Sequence, residues 1–282
     1  MEHVHILLVG TSLIRNASRI ISNLGGGKLK LPKEVLEAYS RLRKEDIEKL
    51  TRWSRVIDDE EARYPPRTIR MFLEAYAITM PKQASAELNS LLTFTDVTGE
   101  PIDRVILVRT STNICNLVAN ILRSILPKFN IKVDSREIVI GIFEVEESIY
   151  TGLAELLVKI YEVCKAEVKR HNIVYLNATA GFKPESAIAL MAASLAGIQA
   201  AYYMHEADRK IRIIPIPPLK PDIEYIHEIF TLEGKTATIL DKKPELKFYY
   251  ESIEGRLKIK EPIKRFLEDI LSKFTFKPTS PP

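Results

Sequence analysis

The sequence predicts an α/β protein with a Rossmann-like, mostly parallel sheet. Short apolar runs recur along the chain, most plainly at residues 4–9, 104–108 and 173–176. A turn follows each of these runs, and after the turn apolar residues recur at helical spacing. Strands that alternate with helices in this way are joined by right-handed crossovers, which gives a sheet with helices on both faces.

This Rossmann-like domain is predicted to span residues 1–218, with a helical insertion at about 31–92. Its strands are predicted at residues 4–9, 104–108, 137–143, 173–176 and 200–204. Its helices are predicted at residues 13–24, 114–126, 150–170 and 186–199. We expect residues 211–215 to add an antiparallel strand at one edge.

Residues 219–273 are predicted to form a small α+β unit that resembles a winged helix. A helix from residue 223 precedes two candidate strands, at 236–240 and 257–260, and a second helix at 262–273. The proline-rich tail, residues 274–282, is expected to be mobile.

Composition narrows the function classes only slightly. The 282-residue chain has a net charge of +4, which is too small a bias to indicate a long nucleic acid but suits a small polyanion in one basic cleft. Cys115 and Cys164 lie in predicted helices without zinc-site spacing, so we expect a reducing, cytoplasmic location and no nucleophilic role for either. We predict no signal peptide, and we interpret the run 186–204 as a buried helix and a strand, not as a membrane span.

The turn after the strand at 173–176 contains an unusual lysine. Gly181 allows uncommon backbone angles, Pro184 suits a first helical turn, and Glu185 suits the helix dipole. Lys183, in contrast, places a cation at the positive end of a helix. This position is best explained by an anion bound in the turn.

Polar residues also follow two other predicted strands. Thr11, Ser12, Arg15 and Asn16 follow the first strand, and residues 109–113 follow the second. In an open parallel sheet, ligands bind beyond the carboxyl ends of the strands, so these groups suit phosphate and ribose. The alternative for Thr11, Ser12 and Ser111 is that they only cap helices.

Several common sites are missing from the sequence. No Gly-x-Gly-x-x-Gly motif follows a strand, and there is no Walker loop. The five histidines are scattered, and no two are four residues apart. We therefore expect neither a cofactor nor a metal ion.

Three motifs resemble the CARF family, the CRISPR-associated Rossmann-fold proteins of type III systems. They are Val9-Gly-Thr-Ser-Leu-Ile-Arg-Asn16, Ala84-Ser-Ala-Glu-Leu-Asn-Ser-Leu91 and Asn177-Ala-Thr-Ala-Gly-Phe-Lys183. The resemblance is closest to the archaeal branch that includes the ring nucleases, and it covers roughly residues 1–215. It implies a homodimer whose two domains form a basic cleft for cyclic tetra-adenylate, a ligand whose symmetry matches the dimer axis.

The resemblance also implies a reaction. Ring nucleases cleave the cyclic messenger without a metal ion: each attacking ribose 2′-OH leaves a 2′,3′-cyclic phosphate, and the products are linear di-adenylates. It implies Lys183 and Ser12 as the catalytic residues, with Lys183 at the scissile phosphate and Ser12 at the 2′-OH or a phosphate oxygen. The ligand-binding residues are expected to be Thr11, Arg15, Asn16, Arg109, Thr110, Ser111, Asn113, Tyr150, Asn177, Thr179, Ala180, Gly181 and Phe182.

Two other functions stay open at this point. The chain lacks the Arg and His pair of the HEPN ribonucleases found in many CARF proteins, but it could be a non-catalytic sensor of cyclic oligoadenylate or a transcriptional regulator. DNA binding is not expected, because the helix at 262–273 mixes Lys264 and Arg265 with Glu268 and Asp269. The second alternative is a Rossmann protein of unrelated metabolism.

Overall fold

A computed structural model describes residues 1–24, 30–141, 146–180, 183–205, 208, 210–216 and 221–274, but not the side chains at 146–148, 183 and 273–274. Its strands are β1 (His3–Leu8), β2 (Arg104–Thr110), β3 (Lys132–Ile140), β4 (Ile173–Asn177), β5 (Ala200–Met204), β6 (Ile211–Pro215), β7 (Tyr250–Ile253) and β8 (Arg256–Ile259). Its helices are α1 (Ser12–Leu24), α2 (Lys33–Tyr39), α3 (Lys44–Trp53), α4 (Arg67–Thr79), α5 (Pro81–Ala84), α6 (Ala86–Thr98), α7 (Asn113–Ile125), α8 (Glu146–Lys169), α9 (Lys183–Ala196), α10 (Ile223–Leu232), α11 (Ile239–Lys242) and α12 (Glu261–Phe274).

Six of the described strands form one sheet in the order β3-β2-β1-β4-β5-β6. Neighbours from β3 to β5 pair in parallel, and β6 pairs antiparallel with β5. The predicted α/β class with a Rossmann-like sheet is therefore confirmed, as is the antiparallel edge strand. Because the chain builds outward from β1 to β3 and then adds β4 and β5 on the other side, the strand order reverses between β1 and β4.

The helices between β1 and β2 do not build a core of their own. Buried side chains of this stretch, among them Trp53, Phe72 and Tyr76, form one apolar cluster with Leu13 of α1 and Leu122 of α7. The segment between α1 and β2 therefore covers the same face of the sheet as α1 and α7.

Helix α6 has clear local signals at both ends. The Ser85 hydroxyl caps its start by accepting a hydrogen bond from the Leu88 amide, and Gly99 ends it with φ of 71°. The pattern at residues 81–92 predicts a single helix, but the extended backbone of Ser85 divides it into α5 and α6. The division sets the start of α6 against the end of β1.

The opposite face of the sheet is covered by α8, α9 and the C-terminal elements. Ile229, Leu257 and Phe266 of these elements join the apolar cluster that contains Ile6 and Ile160. The candidate strand at 257–260 is present as β8, but its antiparallel partner β7 was not predicted, and the candidate strand at 236–240 is wrong. After a single bridge from Thr236 to Arg256, the chain turns into α11, and the Leu240 amide bonds to the Ala237 carbonyl instead of to a strand.

Three predicted features lie outside the described residues. They are the end of the predicted strand, at 142–143, the turn residues Gly181 and Phe182, and the tail beyond Phe274. Gly141 already lies beyond β3. In the ranges that are described, no helix combines the length and apolarity needed to cross a bilayer.

A histidine lies at the centre of a buried aromatic group under α6. His5 is 0% exposed, and its ring lies 5.0 Å from Phe94 and 5.0 Å from Tyr175, centroid to centroid. Its Nδ1 lies 2.7 Å from the Tyr202 hydroxyl. Burial, assisted by the nearby His3, lowers the pKa of His5 to about 3.

This histidine predicts a loss of stability in mild acid. The unfolded chain takes up a proton at His5 near pH 6.5, whereas the folded chain does so only near pH 3. Stability therefore falls as pH drops below 6.5, by up to about 1.4 kcal/mol per pH unit. Urea unfolding of a His5→Asn variant between pH 7 and about 5 should lack this slope, apart from what other groups contribute.

His171 offers the control for this measurement. It is exposed, and its φ of 60° is one that asparagine tolerates well. His171→Asn should leave the slope intact. An equal loss of slope in both variants would contradict the assignment to His5.

Candidate functional site

The candidate site lies at the carboxyl edge of the sheet, where the strand order reverses. The turn after β1 and the turn after β4 adjoin there, because β1 and β4 are paired up to Leu7 and Asn177. The starts of α1 and α9 follow directly from these two turns. Open α/β sheets bind ligands at such a point of reversal.

Ser12 begins α1 and is held by the start of α6. Its hydroxyl donates a hydrogen bond of 2.7 Å to Glu87 Oε2 and accepts one of 2.9 Å from the Ala86 amide. The other oxygen, Glu87 Oε1, accepts a 2.6 Å bond from the Gly10 amide. A fully buried carboxylate thus joins the end of β1, the start of α1 and the start of α6.

Some residues near Ser12 make contacts that hold the fold together, whereas others are exposed to solvent. The Asn16 amide donates to the carbonyls of Gln83 and Ala84, so it ties α1 to α5. Thr11 accepts the Arg15 amide through its carbonyl. Arg15 is exposed one turn along α1 and has no ion pair with another residue of the described ranges.

Most polar side chains in the turn after β2 already have partners within the chain. Arg109 pairs with Glu137 at 3.1 Å and donates to the Thr110 carbonyl. The hydroxyls of Thr110 and Thr112 bond to each other at 3.0 Å, and Ser111 is exposed.

The start of α7, directly after this turn, holds a carboxylate of the insertion. Asp58 accepts bonds from the Asn113 amide at 2.7 Å and from its side chain at 3.3 Å. Because a helix start attracts anions, Asp58 occupies the position that a ligand phosphate would take here.

The turn after β4 begins with a buried asparagine. Asn177 is 0% exposed; its Nδ2 donates to the Ser90 hydroxyl at 2.7 Å, and its Oδ1 accepts the Thr179 amide. The Thr179 hydroxyl accepts the Met204 amide at 3.1 Å, which joins the turn to β5. These bonds fix the turn, and Ala180 then leads toward α9, whose first residue is Lys183.

Tyr150 lies in the first part of α8, the helix that follows β3, and is partly exposed. The strand order sets two strands, β2 and β1, between β3 and β4. The structure brings Ser12, Thr179 and Ala180 to adjoining turns, while Tyr150 follows a more distant strand. The assignment of Tyr150 to the ligand stays a prediction.

Cys115 lies near the turns after β1 and β2, but its thiol is expected to be unreactive. Burial raises the pKa of its thiol, and the carboxylates of Glu87 and Glu185 add to the effect. Cys164 is also buried, and burial raises its pKa strongly. A thiol held in its protonated form is a poor nucleophile. Within the described ranges, no three His, Cys, Asp or Glu side chains are grouped to hold a metal ion.

A groove of about 370 Å³ lies elsewhere, between α8 and α12. Lys165, one of the basic residues that line it, pairs with Asp269 at 2.6 Å, and Asp269 also accepts a hydrogen bond from the Tyr161 hydroxyl. The charge of Lys165 is therefore balanced within the chain.

Two residues of this region were not singled out from the sequence. Glu87 had a signal, because it shares the buried stripe of α6 with Leu91 and Phe94 at helical spacing. A carboxylate in an apolar stripe predicts a buried polar contact. Asp58 lies in a loop 55 residues before Asn113 and had no such signal.

The fold and the site define a Rossmann-like α/β protein with a polar point of strand reversal. Residues 82–218 match a family model described as "CRISPR-associated protein (Cas_APE2256)". Over these residues, which include α6 and the turns after β2 and β4, the chain is similar to a CRISPR-associated family. The match supports a CRISPR-related role.

Among solved structures, protein VC1899 from Vibrio cholerae is similar to the chain with a TM-score of 0.35 and 9% sequence identity. The alignment covers 94% of this chain and 64% of that protein. The chain thus spans less than two thirds of the length of that relative.

Proposed function

We propose that the protein is a ring nuclease of type III CRISPR systems. It binds cyclic tetra-adenylate in a cleft between two copies of the chain and cleaves it without a metal ion, which switches off antiviral signalling. The observation that carries this proposal is the pairing of β1 with β4, because it brings the hydroxyl of Ser12 and the start of α9 to one point of the sheet. The similarity of residues 82–218 to a CRISPR-associated family supports the choice of ligand class.

The proposed reaction is a transesterification. A ribose 2′-oxygen forms a bond to the adjacent phosphorus as the bond from that phosphorus to the 5′-oxygen breaks. The 2′-OH loses a proton and the departing 5′-oxygen gains one, so no water is consumed. Two such cuts turn the ring into two di-adenylates with 2′,3′-cyclic phosphate ends.

The protein contributes position and charge to this reaction. The attacking and leaving oxygens must lie in line across the phosphorus, and the extra negative charge of the transition state must be stabilised. In our proposal Ser12 contacts the ribose or phosphate, and Lys183, with the amides at the start of α9, holds the scissile phosphate. Arg15 is exposed one turn from Ser12, and in our proposal it binds a neighbouring phosphate.

A cleavage assay tests this proposal. Radiolabelled cyclic tetra-adenylate is incubated with the pure protein in EDTA, and the products are separated by size. Linear di-adenylates with cyclic phosphate ends are the expected result. Tight binding of a ring that stays intact would favour the sensor instead, and no binding would exclude both functions.

We expect Ser12→Ala to slow cleavage by about tenfold, which is the value of one hydrogen bond to the reacting group. Ser22→Ala is the matched control, because Ser22 lies on the same helix but is exposed, and its hydroxyl donates to the Ser18 carbonyl of that helix. Equal rates for the Ser12 variant and the wild type would remove Ser12 from the mechanism.

A further inference from the structure

We propose that Glu87 is a positioning residue that makes the Ser12 hydroxyl an acceptor for the ribose 2′-OH. This inference rests on the proposed function, and it assigns a role to a residue for which neither the sequence motifs nor the family match gives one. It also decides between the two partners considered for Ser12, the 2′-OH and a phosphate oxygen.

The Ser12 hydroxyl already makes two hydrogen bonds within the chain. A hydroxyl has one hydrogen to donate and two lone pairs. The hydrogen is directed to Glu87 Oε2 at 2.7 Å, and one lone pair accepts the Ala86 amide at 2.9 Å. No other side chain or amide in the described ranges bonds to this hydroxyl, so one lone pair remains for a ligand. Ser12 can therefore accept a hydrogen bond from a ligand but cannot donate one.

The polarity of the Ser12 hydroxyl selects between a ribose 2′-OH and a phosphate oxygen as its ligand partner. A ribose 2′-OH can donate, whereas the non-bridging oxygens of a phosphodiester can only accept. The remaining lone pair of Ser12 thus suits the 2′-OH and repels a phosphate oxygen. An acceptor at the 2′-OH also directs its hydrogen away from the phosphorus, which leaves an oxygen lone pair for attack.

The Glu87 carboxylate is held in place by the protein itself. Glu87 is 0% exposed, and its second oxygen accepts the Gly10 amide at 2.6 Å. It lies in the first turn of α6, where the helix dipole favours a negative charge. The Glu87 carboxylate is therefore fixed before a ligand arrives, and it fixes the Ser12 hydroxyl in turn.

The isosteric variant Glu87→Gln reverses this polarity. Its Oε1 must still accept the Gly10 amide, so its Nε2 faces Ser12 and donates where Glu87 accepted. The Ser12 hydrogen is then released toward the ligand, and Ser12 changes from an acceptor to a donor. We expect cleavage about tenfold slower with the affinity for the ring little changed, as for Ser12→Ala.

Two ligand analogues measure the polarity without cleavage. Cyclic tetra-adenylates with 2′-fluoro or 2′-deoxy riboses lack the attacking hydroxyl. A fluorine repels the lone pair of an acceptor Ser12 but not the hydrogen of a donor Ser12. The ratio of the Kd of the fluoro analogue to the Kd of the deoxy analogue should therefore be about threefold lower in Glu87→Gln than in the wild type. Effects of sugar conformation cancel in this comparison, because the wild type and the variant are measured with the same two ligands.

Variants at Ser12 separate positioning from folding. If Glu87 acts through Ser12, the double variant Ser12→Ala, Glu87→Gln should cleave at the rate of Ser12→Ala alone, and its analogue ratio should match that of Ser12→Ala. Asp46→Asn is the matched control, because Asp46 is also 0% exposed and accepts one backbone amide, from Arg43, and one hydroxyl, from Thr68. We expect it to lower the Tm without changing cleavage or the analogue ratio.

The outcomes are distinct. An unchanged analogue ratio, or rate losses that multiply in the double variant, would overturn the role of Glu87. If the wild type binds the ring but leaves it intact, the ring nuclease proposal fails, and the analogue ratio still decides whether Glu87 sets the polarity of Ser12. If neither analogue nor the ring binds, both proposals fall.

Discussion

Replacing Glu167 by glutamine is expected to lower the free energy of unfolding by about 3–5 kcal/mol, the usual cost of breaking a buried ion pair by removing one partner. Glu167 is 0% exposed at the end of α8. Its carboxylate binds Arg104 at 2.7 Å, Arg136 at 2.5 Å and Arg170 at 2.8 Å. Arg104 and Arg136 also pair with Asp134. Loss of one negative charge leaves these guanidinium groups short of a partner.

The same group predicts a pH dependence. Burial alone would raise the pKa of Glu167, but hydrogen bonds from Arg104, Arg136 and Asn172 outweigh it and lower the pKa to about 2. The stabilisation is therefore complete above pH 4.5, the ordinary value, and is lost as pH falls toward 2. Urea unfolding at pH 7 gives the size of the effect, and a series below pH 4.5 gives its titration.

Glu162→Gln is the control, since Glu162 lies on the same helix and is exposed. It should change the free energy of unfolding by less than about 0.5 kcal/mol. A similar small change for Glu167→Gln would contradict a structural role for the ion cluster. The cluster lies at the amino end of β2, away from the candidate site, so neither variant should alter ligand binding.

Lys183→Ala is expected to slow cleavage of cyclic tetra-adenylate by about 100- to 1000-fold, the range for losing one donor to a developing charge. The lysine begins α9, at the point where β1 and β4 adjoin. A single-turnover assay isolates the chemical step, and a binding assay with the 2′-deoxy analogue isolates affinity. The rate should fall far more than the affinity if Lys183 acts on the transition state.

Two further variants serve as controls for Lys183→Ala. Lys128→Ala removes an exposed lysine from the turn after α7 and should leave the rate unchanged. Lys183→Arg keeps the charge and should recover part of the rate. If Lys183→Ala cleaves as fast as the wild type, the proposed role of Lys183 is wrong.

The sequence by itself predicted the α/β class and the positions of the strands in the main sheet, but not their order. The apolar runs at residues 4–9, 104–108, 173–176 and 200–204 all correspond to strands, because burial on both faces selects apolar side chains locally. The turns at Ser12 and Lys183 were also apparent, since a strand end and a helix start are local features. The short strand predicted at 236–240 failed because β-branched residues in a small unit do not fix a strand without a partner.

The tertiary structure alone decided which of these polar groups are already occupied. Asp58 binds the start of α7, Glu137 neutralises Arg109, and Glu87 directs the Ser12 hydroxyl. The partners in these three contacts are separated by 28 to 75 residues along the chain. No local pattern encodes such distances, because they depend on how the insertion and α6 pack against the sheet. The sequence thus predicted where the polar turns lie, and the fold decided which of their atoms already have partners within the chain.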